Sequence, residues 1–214
     1  MEDLDLTNSM NDLIRHYRLI AIMRHLPEEQ LIPVFQMLAD AGVRLIEITM
    51  NTKAAAEQIN LARTRFGGRM LIGAGTVSTP ERATEAMDAG AQFLVTPNLD
   101  PDVLDLAKKR SCPVVCGVLT PTEMMAAIRA GASTLKIFPA GRMGTGYIKD
   151  ILAPLNDLNL VAVGGVTADN AADWIRAGCI GIGMGSSLLN PQLIQEGRYD
   201  ELGRQTEALL GRLK

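Results

Sequence analysis

A parallel (β/α)8 TIM barrel with an extra N-terminal helix is the fold class that this sequence predicts, and three observations predict it. Eight short runs rich in β-branched and apolar residues alternate with longer amphipathic runs. Each pair repeats after about 20 to 26 residues, room for one strand and one helix and little else. Several of the amphipathic runs stop at Ala-Gly, where glycine can adopt the left-handed conformation that ends a helix. An open doubly wound sheet has the same local pattern, but eight strands without a nucleotide-binding fingerprint favour the barrel.

Taken in order, "LIAIMR" from Leu19 is the first strand, and "PEEQLIPVFQMLADAG" is a helix stopped at Ala41-Gly42. "RLIEITM" precedes the helical "TKAAAEQINLARTRFGG", and "MLIGAGT" precedes "TPERATEAMDAG". In that third helix Thr79 is the cap, Pro80 sits in the first turn and Ala89-Gly90 is the stop. "FLVTP" is followed by "DPDVLDLAKKR", and "PVVCGV" by "TPTEMMAAIRAG", with Thr120-Pro121 opening and Ala130-Gly131 closing the helix. "TLKIFP" leads to a helix over "GYIKDILAPL", "LVAVGG" to "TADNAADWIRAG" with its stop at Ala177-Gly178, and "IGIGMG" is the eighth strand. No Pro/Gly/Ser-rich linker divides the chain, so residues 1–214 read as one domain. Residues 1–18 form a helical extension, and it and the final "YDELGRQTEALLGRLK" are expected to cover the bottom or side of the barrel.

Composition narrows the function. With 47% hydrophobic and 21% charged residues, 214 residues bury a substantial core. A net charge of -3, few aromatics and no basic run argue against a nucleic-acid surface and point to a small-molecule partner. No apolar run approaches the roughly 18 residues of a membrane span, and the acidic start "MEDLDLTNSMNDL" is unlike a signal peptide, which places the protein in the cytoplasm. Three cysteines, Cys112, Cys116 and Cys179, do not make a disulfide framework. Two histidines, His16 and His25, leave few ligands for a metal, and none is expected.

In such a barrel the chemistry sits at the carboxyl ends of the strands. The period of two puts Leu45, Glu47 and Thr49 on one face of the second strand, and turning the apolar face to the helices points Glu47 inward. The same logic sends Leu135 and Ile137 outward and Lys136 and Phe138 inward. Opposite charges sharing the interior could form a structural ion pair, which contributes little net stability. The other strand ends tip the balance toward chemistry. "GAGT", with Gly75 and Thr76, offers backbone N–H groups and a hydroxyl suited to a carboxylate. Gly164-Gly165 and Gly185-Ser186-Ser187 end the seventh and eighth strands, where barrels bind phosphate, although glycine pairs also make tight turns. A lysine in an apolar interior has its charged form disfavoured, and the neutral amine can attack a ketone to give an imine while a nearby carboxylate moves protons. Carboxylate and phosphate sites together describe a phosphorylated keto acid. A phosphosugar isomerase without imine chemistry and a non-catalytic binding barrel remain alternatives.

From about Leu19 to Leu189 the chain resembles the family of 2-keto-3-deoxy-6-phosphogluconate (KDPG) and 4-hydroxy-2-oxoglutarate aldolases. The matching stretches are "EIT", "GAGTV", "VTPN", "LKIFP", "VGGVT.DN" and "GMGS", in this order and spacing. The resemblance implies a trimeric, cofactor-free class I aldolase that cleaves a 2-keto-3-deoxy-6-phosphoaldonate, or alternatively 4-hydroxy-2-oxoglutarate. It implies that Lys136 forms the Schiff base and Glu47 is the general acid/base. Thr76 and the backbone at Gly75 would take the pyruvate carboxylate, and Gly164, Gly165, Gly185 and Ser186 the phosphate. Thr96, Pro97, Phe138 and Asn51 would line the pocket. Phosphogluconate-type members often carry "TLRT" where this chain has "TMNT", with Asn51 in place of the arginine. Together with "IAIMR", "YIK" and "WI.AGC.G.G.GS", this is similar to the phosphogalactonate branch. Arg24 is then the expected carboxylate partner. With Ala21 taken as inward, strand parity turns Arg24 away from the interior, and only its place at the strand end lets it reach over the rim.

Overall fold

The protein is described from a computed structural model covering residues 9–214; residues 1–8, and with them the first part of the expected helical extension, lie outside the described residues. The elements run α1 (Met10–Tyr17), β1 (Leu19–Met23), α2 (Glu28–Asp40), β2 (Leu45–Thr49), α3 (Ala55–Phe66), β3 (Leu71–Gly75), α4 (Pro80–Asp88) and β4 (Leu94–Val95). They continue with α5 (Pro101–Lys109), β5 (Val114–Val118), α6 (Pro121–Arg129), β6 (Thr134–Ile137), α7 (Ala140–Leu152), β7 (Leu160–Val163), α8 (Ala171–Arg176), β8 (Gly181–Met184), α9 (Pro191–Gln195) and α10 (Tyr199–Leu213). The eight strands of the described residues pair in parallel, each with its successor and β8 with β1, and so close a (β/α)8 barrel.

Helix punctuation follows from the residues the sequence supplies. Gly42, Gly90, Gly131 and Gly178 all take positive φ just beyond their helices, at 95°, 99°, 97° and 112°. Thr79 accepts from the Arg82 N–H, while Thr120 and Glu123 exchange bonds in a capping box ahead of Pro121. Two details differ from the sequence expectation. α7 begins at Ala140, before Gly146, and breaks at Gly144, whose φ of 77° and ψ of 168° are not helical. α9 was not expected, although Asn190 caps it and Pro191 opens it.

Two apolar layers result. Ile46, Ile48, Leu135, Ile137 and Cys116 face the helices, as do Met124 and Trp174 from the helix side. Ile20, Leu45, Leu71, Phe93, Val115 and Val161 fill the barrel interior, joined by Met10, Leu13 and Ile14 of α1. α1 therefore plugs the amino-terminal end of the barrel, pinned by Asn11 to Thr134 and Ser133 and by Arg15 to Asn159. α10 packs at the side, against α2 and α8.

Candidate active site

The interior is apolar at the bottom and changes character one layer up. There the strand register brings Ile22, Glu47 and Gly73 into line on one side, and Gly117, Lys136 and Val161 on the other. Glu47 is 3% exposed and Lys136 6%. Among the described residues neither side chain makes an ion pair or a hydrogen bond. Among the described residues the only fully sealed side-chain polar atom without a partner is Nε of Arg69, so neither functional end is fully sealed. The Lys136 Nζ lies 5.1 Å from the centroid of the Phe138 ring, which stands at the rim, 40% exposed. Burial pushes the Lys136 ammonium below its ordinary range; the Glu47 carboxylate opposes this and Arg24 adds to it. Burial pushes the Glu47 carboxyl up to about 7, with Lys136 and Arg24 pulling the other way.

Arg24 requires a correction. Ala21 packs in the outer layer with Leu19 and Met23, whereas Ile20 and Ile22 belong to the interior. Arg24 thus has the inward parity, and its charge bears on both Glu47 and Lys136. The expectation failed because both faces of a parallel barrel strand are buried, so apolarity does not tell inside from outside. His25 is exposed and lines the same cleft as Arg24, with φ of 54°.

The remaining residues divide into those at the mouth and those that shape it. Thr76 is half-buried with φ of 55°, an unusual conformation for a β-branched residue. The Arg82 side chain reaches back to its carbonyl and to Ser78 Oγ, at 3.5 and 2.9 Å. Gly75 lies directly against the Glu47 carboxyl group. Thr96 is buried, its hydroxyl donating to the Asn98 carbonyl at 2.7 Å and accepting from the Gly117 N–H at 2.9 Å. It ties the turn containing Pro97 over Gly117, where a Cβ would collide with Pro97 and Asn98 backbone. Asn51 is exposed in the turn after β2.

A cleft of about 930 Å³ opens across the ends of β1, β7 and β8, lined by Arg24, Phe138, Gly164, Gly165, Gly185 and Ser186 among others. Ile22, paired with Glu47, and Phe138, beside the Lys136 Nζ, are among its lining residues, whereas Glu47 and Lys136 themselves are not. Gly164 and Gly165 have φ of 85° and 80° and pack on Gly141, whose N–H donates to the Gly164 carbonyl at 2.7 Å. The backbone N–H groups of Gly165, Ser186 and Ser187 find no protein acceptor among the described residues. The Ser187 hydroxyl donates to Val166 O at 2.7 Å and so braces one loop on the other.

This arrangement of amine, carboxyl group and open N–H groups can be compared with known proteins. The family model described as KDPG and KHG aldolase matches residues 10–205. The chain belongs to the KDPG and KHG aldolase family. Its sequence is 40% identical to 2-dehydro-3-deoxy-6-phosphogalactonate aldolase of Escherichia coli, over 79% of this chain and 83% of that one. It is 31% identical to 2-dehydro-3-deoxy-phosphogluconate aldolase of Haemophilus influenzae, over 97% and 98%. The solved structure of native KDPGal superposes with a TM-score of 0.84 at 36% identity, covering 91% of this chain and 93% of that one. Within this family fold, sequence reasoning had named the residues on the strands. It missed Thr52 and Gln58, buried polar residues of the β2–α3 region, whose only signal was polarity on a face that otherwise packs as core.

Proposed function

We propose that the protein is a class I aldolase that cleaves a 2-keto-3-deoxy-6-phosphoaldonate to pyruvate and glyceraldehyde 3-phosphate. The observation that carries this reading is the buried Lys136 amine, biased toward its neutral form, in one interior layer with a Glu47 carboxyl poised at about 7. Lys136 adds to the C2 carbonyl, and loss of water from the carbinolamine leaves a protonated imine. The C3–C4 bond then breaks with its electrons drawn toward the imine nitrogen, and the C4 hydroxyl gives up its proton to become the aldehyde. Glu47 accepts that proton, directly or through water. The enamine is protonated at C3, and hydrolysis of the resulting imine releases pyruvate and restores the amine. A carboxyl group titrating near neutrality serves in both directions of proton transfer.

Arg24 and Thr76 hold the keto-acid carboxylate in this reading, and the open N–H groups of Gly165, Ser186 and Ser187 receive the phosphate. The phosphogalactonate epimer is favoured by Asn51 and by the higher identity to the Escherichia coli phosphogalactonate enzyme. A homotrimer is the assembly we propose from the family resemblance, and light scattering on the purified protein tests it. Treatment with pyruvate and borohydride tests the chemistry: a covalent mass increase located at Lys136 is expected, and its absence overturns the imine. Cleavage rates on the two C4 epimers decide between the phosphoaldonates.

A further inference from the structure

We propose that Thr52 is a positioning residue that fastens the loop bearing Arg24 to the strand bearing Glu47. The proposal rests on the reading that Arg24 holds the substrate carboxylate. Three buried polar side chains stand at the end of β2 and on α3: Thr49, Thr52 and Gln58. Valine, or a longer apolar residue, would fill the same space without a polar group to desolvate, so their polarity calls for a use. Their hydrogen bonds converge on the loop between β1 and α2. The Thr52 Oγ1 accepts from the His25 N–H at 3.0 Å and lies 3.1 Å from the Thr49 Oγ1. The Gln58 Nε2 donates to the Leu26 carbonyl at 3.2 Å.

Local chain preferences do not hold this loop. His25 carries a Cβ and yet takes φ of 54°, a conformation that persists only where surrounding structure imposes it. The imposing contacts come from 27 and 32 residues away in sequence. Arg24 immediately precedes the residue so held, and its side chain is exposed. Fixing its backbone limits the freedom that the side chain loses when it closes on an anion, which is how pre-organisation raises affinity. Thr49 lies two residues after Glu47 on the same strand face, so one hydroxyl pair links the strand of Glu47 to the loop that follows the adjacent strand and carries Arg24.

The test uses pyruvate, which has the carboxylate but no phosphate, and reads the concentration giving half-maximal borohydride trapping at Lys136. Thr52→Val should raise that concentration roughly three- to tenfold, the worth of one hydrogen bond, while leaving the maximal trapping rate nearly unchanged. Thr52→Ser keeps the hydroxyl and should restore it. In an Arg24→Ala background Thr52→Val should add nothing further. An unchanged half-saturation in Thr52→Val, or an effect that multiplies fully with Arg24→Ala, overturns the proposal. Should Thr52→Val fail to fold, Gln58→Met carries the same expectations through Leu26. An Arg24→Ala protein with unaltered half-saturation would instead remove the carboxylate reading on which the proposal stands.

Discussion

The Glu47 carboxyl group lies against the backbone of Gly75: a Cβ built on that glycine would stand 2.6 Å from Glu47 Cδ. Nothing larger than hydrogen fits between strand β3 and this side chain. Gly75→Ala should therefore displace the carboxyl while the strand itself survives, since Gly75 does not have a positive φ. A displacement on the order of 1 Å can cost roughly a hundredfold in rate. We expect turnover to fall by about that factor with thermal stability lowered only modestly. Steady-state kinetics and a melting curve measure both, and unaltered turnover would show that Glu47 need not sit where it does.

Lys136→Met should abolish turnover and borohydride trapping and leave the fold intact or more stable, because an apolar side chain of similar length suits the interior better than an amine. The sign with pH follows from the lowered value in the folded protein. Below the ordinary lysine value of 10.5 the unfolded chain holds a proton that the folded one tends to lose, so wild-type stability rises with pH across that window. The advantage of the methionine variant should shrink as the pH approaches 10.5 in denaturant titrations. Normal activity in this variant would end the Schiff-base reading.

Glu47→Gln should still form an imine with pyruvate but lose proton exchange at the methyl group, which NMR in deuterated water follows. Between 4.5 and about 7 the unfolded carboxyl is ionised while the buried one keeps its proton, so wild-type stability falls as pH rises through that window. The glutamine variant lacks this loss. It should gain up to about 3 kcal/mol on wild type between those limits, and no more above them. Methyl exchange at the wild-type rate would require another base.

Arg24→Ala should raise the KM for the phosphorylated keto acid by roughly ten- to a hundredfold, the worth of a charge-assisted contact of about 1.5–3 kcal/mol. Inhibition by inorganic phosphate should change little. Because the Arg24 charge holds Glu47 down, its removal should also move the acidic limb of the pH–rate profile upward. Asn51→Arg as a second change should return part of the lost affinity. Unaltered KM and turnover would leave the carboxylate to Thr76 and backbone N–H groups alone.

Periodicity sufficed for much of this protein. The eight strands, the glycine stops at 42, 90, 131 and 178, and the inward direction of Glu47 and Lys136 were all legible in the chain, because each depends on residues within a few positions of one another. A charged residue flanked by apolar neighbours also reveals which face of its strand is special. β1 has no such internal marker, since Ile20 and Ala21 are both buried, and only closure of the sheet onto β2 and β8 turned Ile22 and Arg24 inward. Closure likewise seated Glu47 on Gly75, packed Gly165 on Gly141 and brought Thr52 to His25. These contacts join segments distant in sequence, and their geometry follows from the register and curvature of the whole barrel. The chain by itself therefore determined which groups are present and on which strands, and the tertiary structure decided which of them meet.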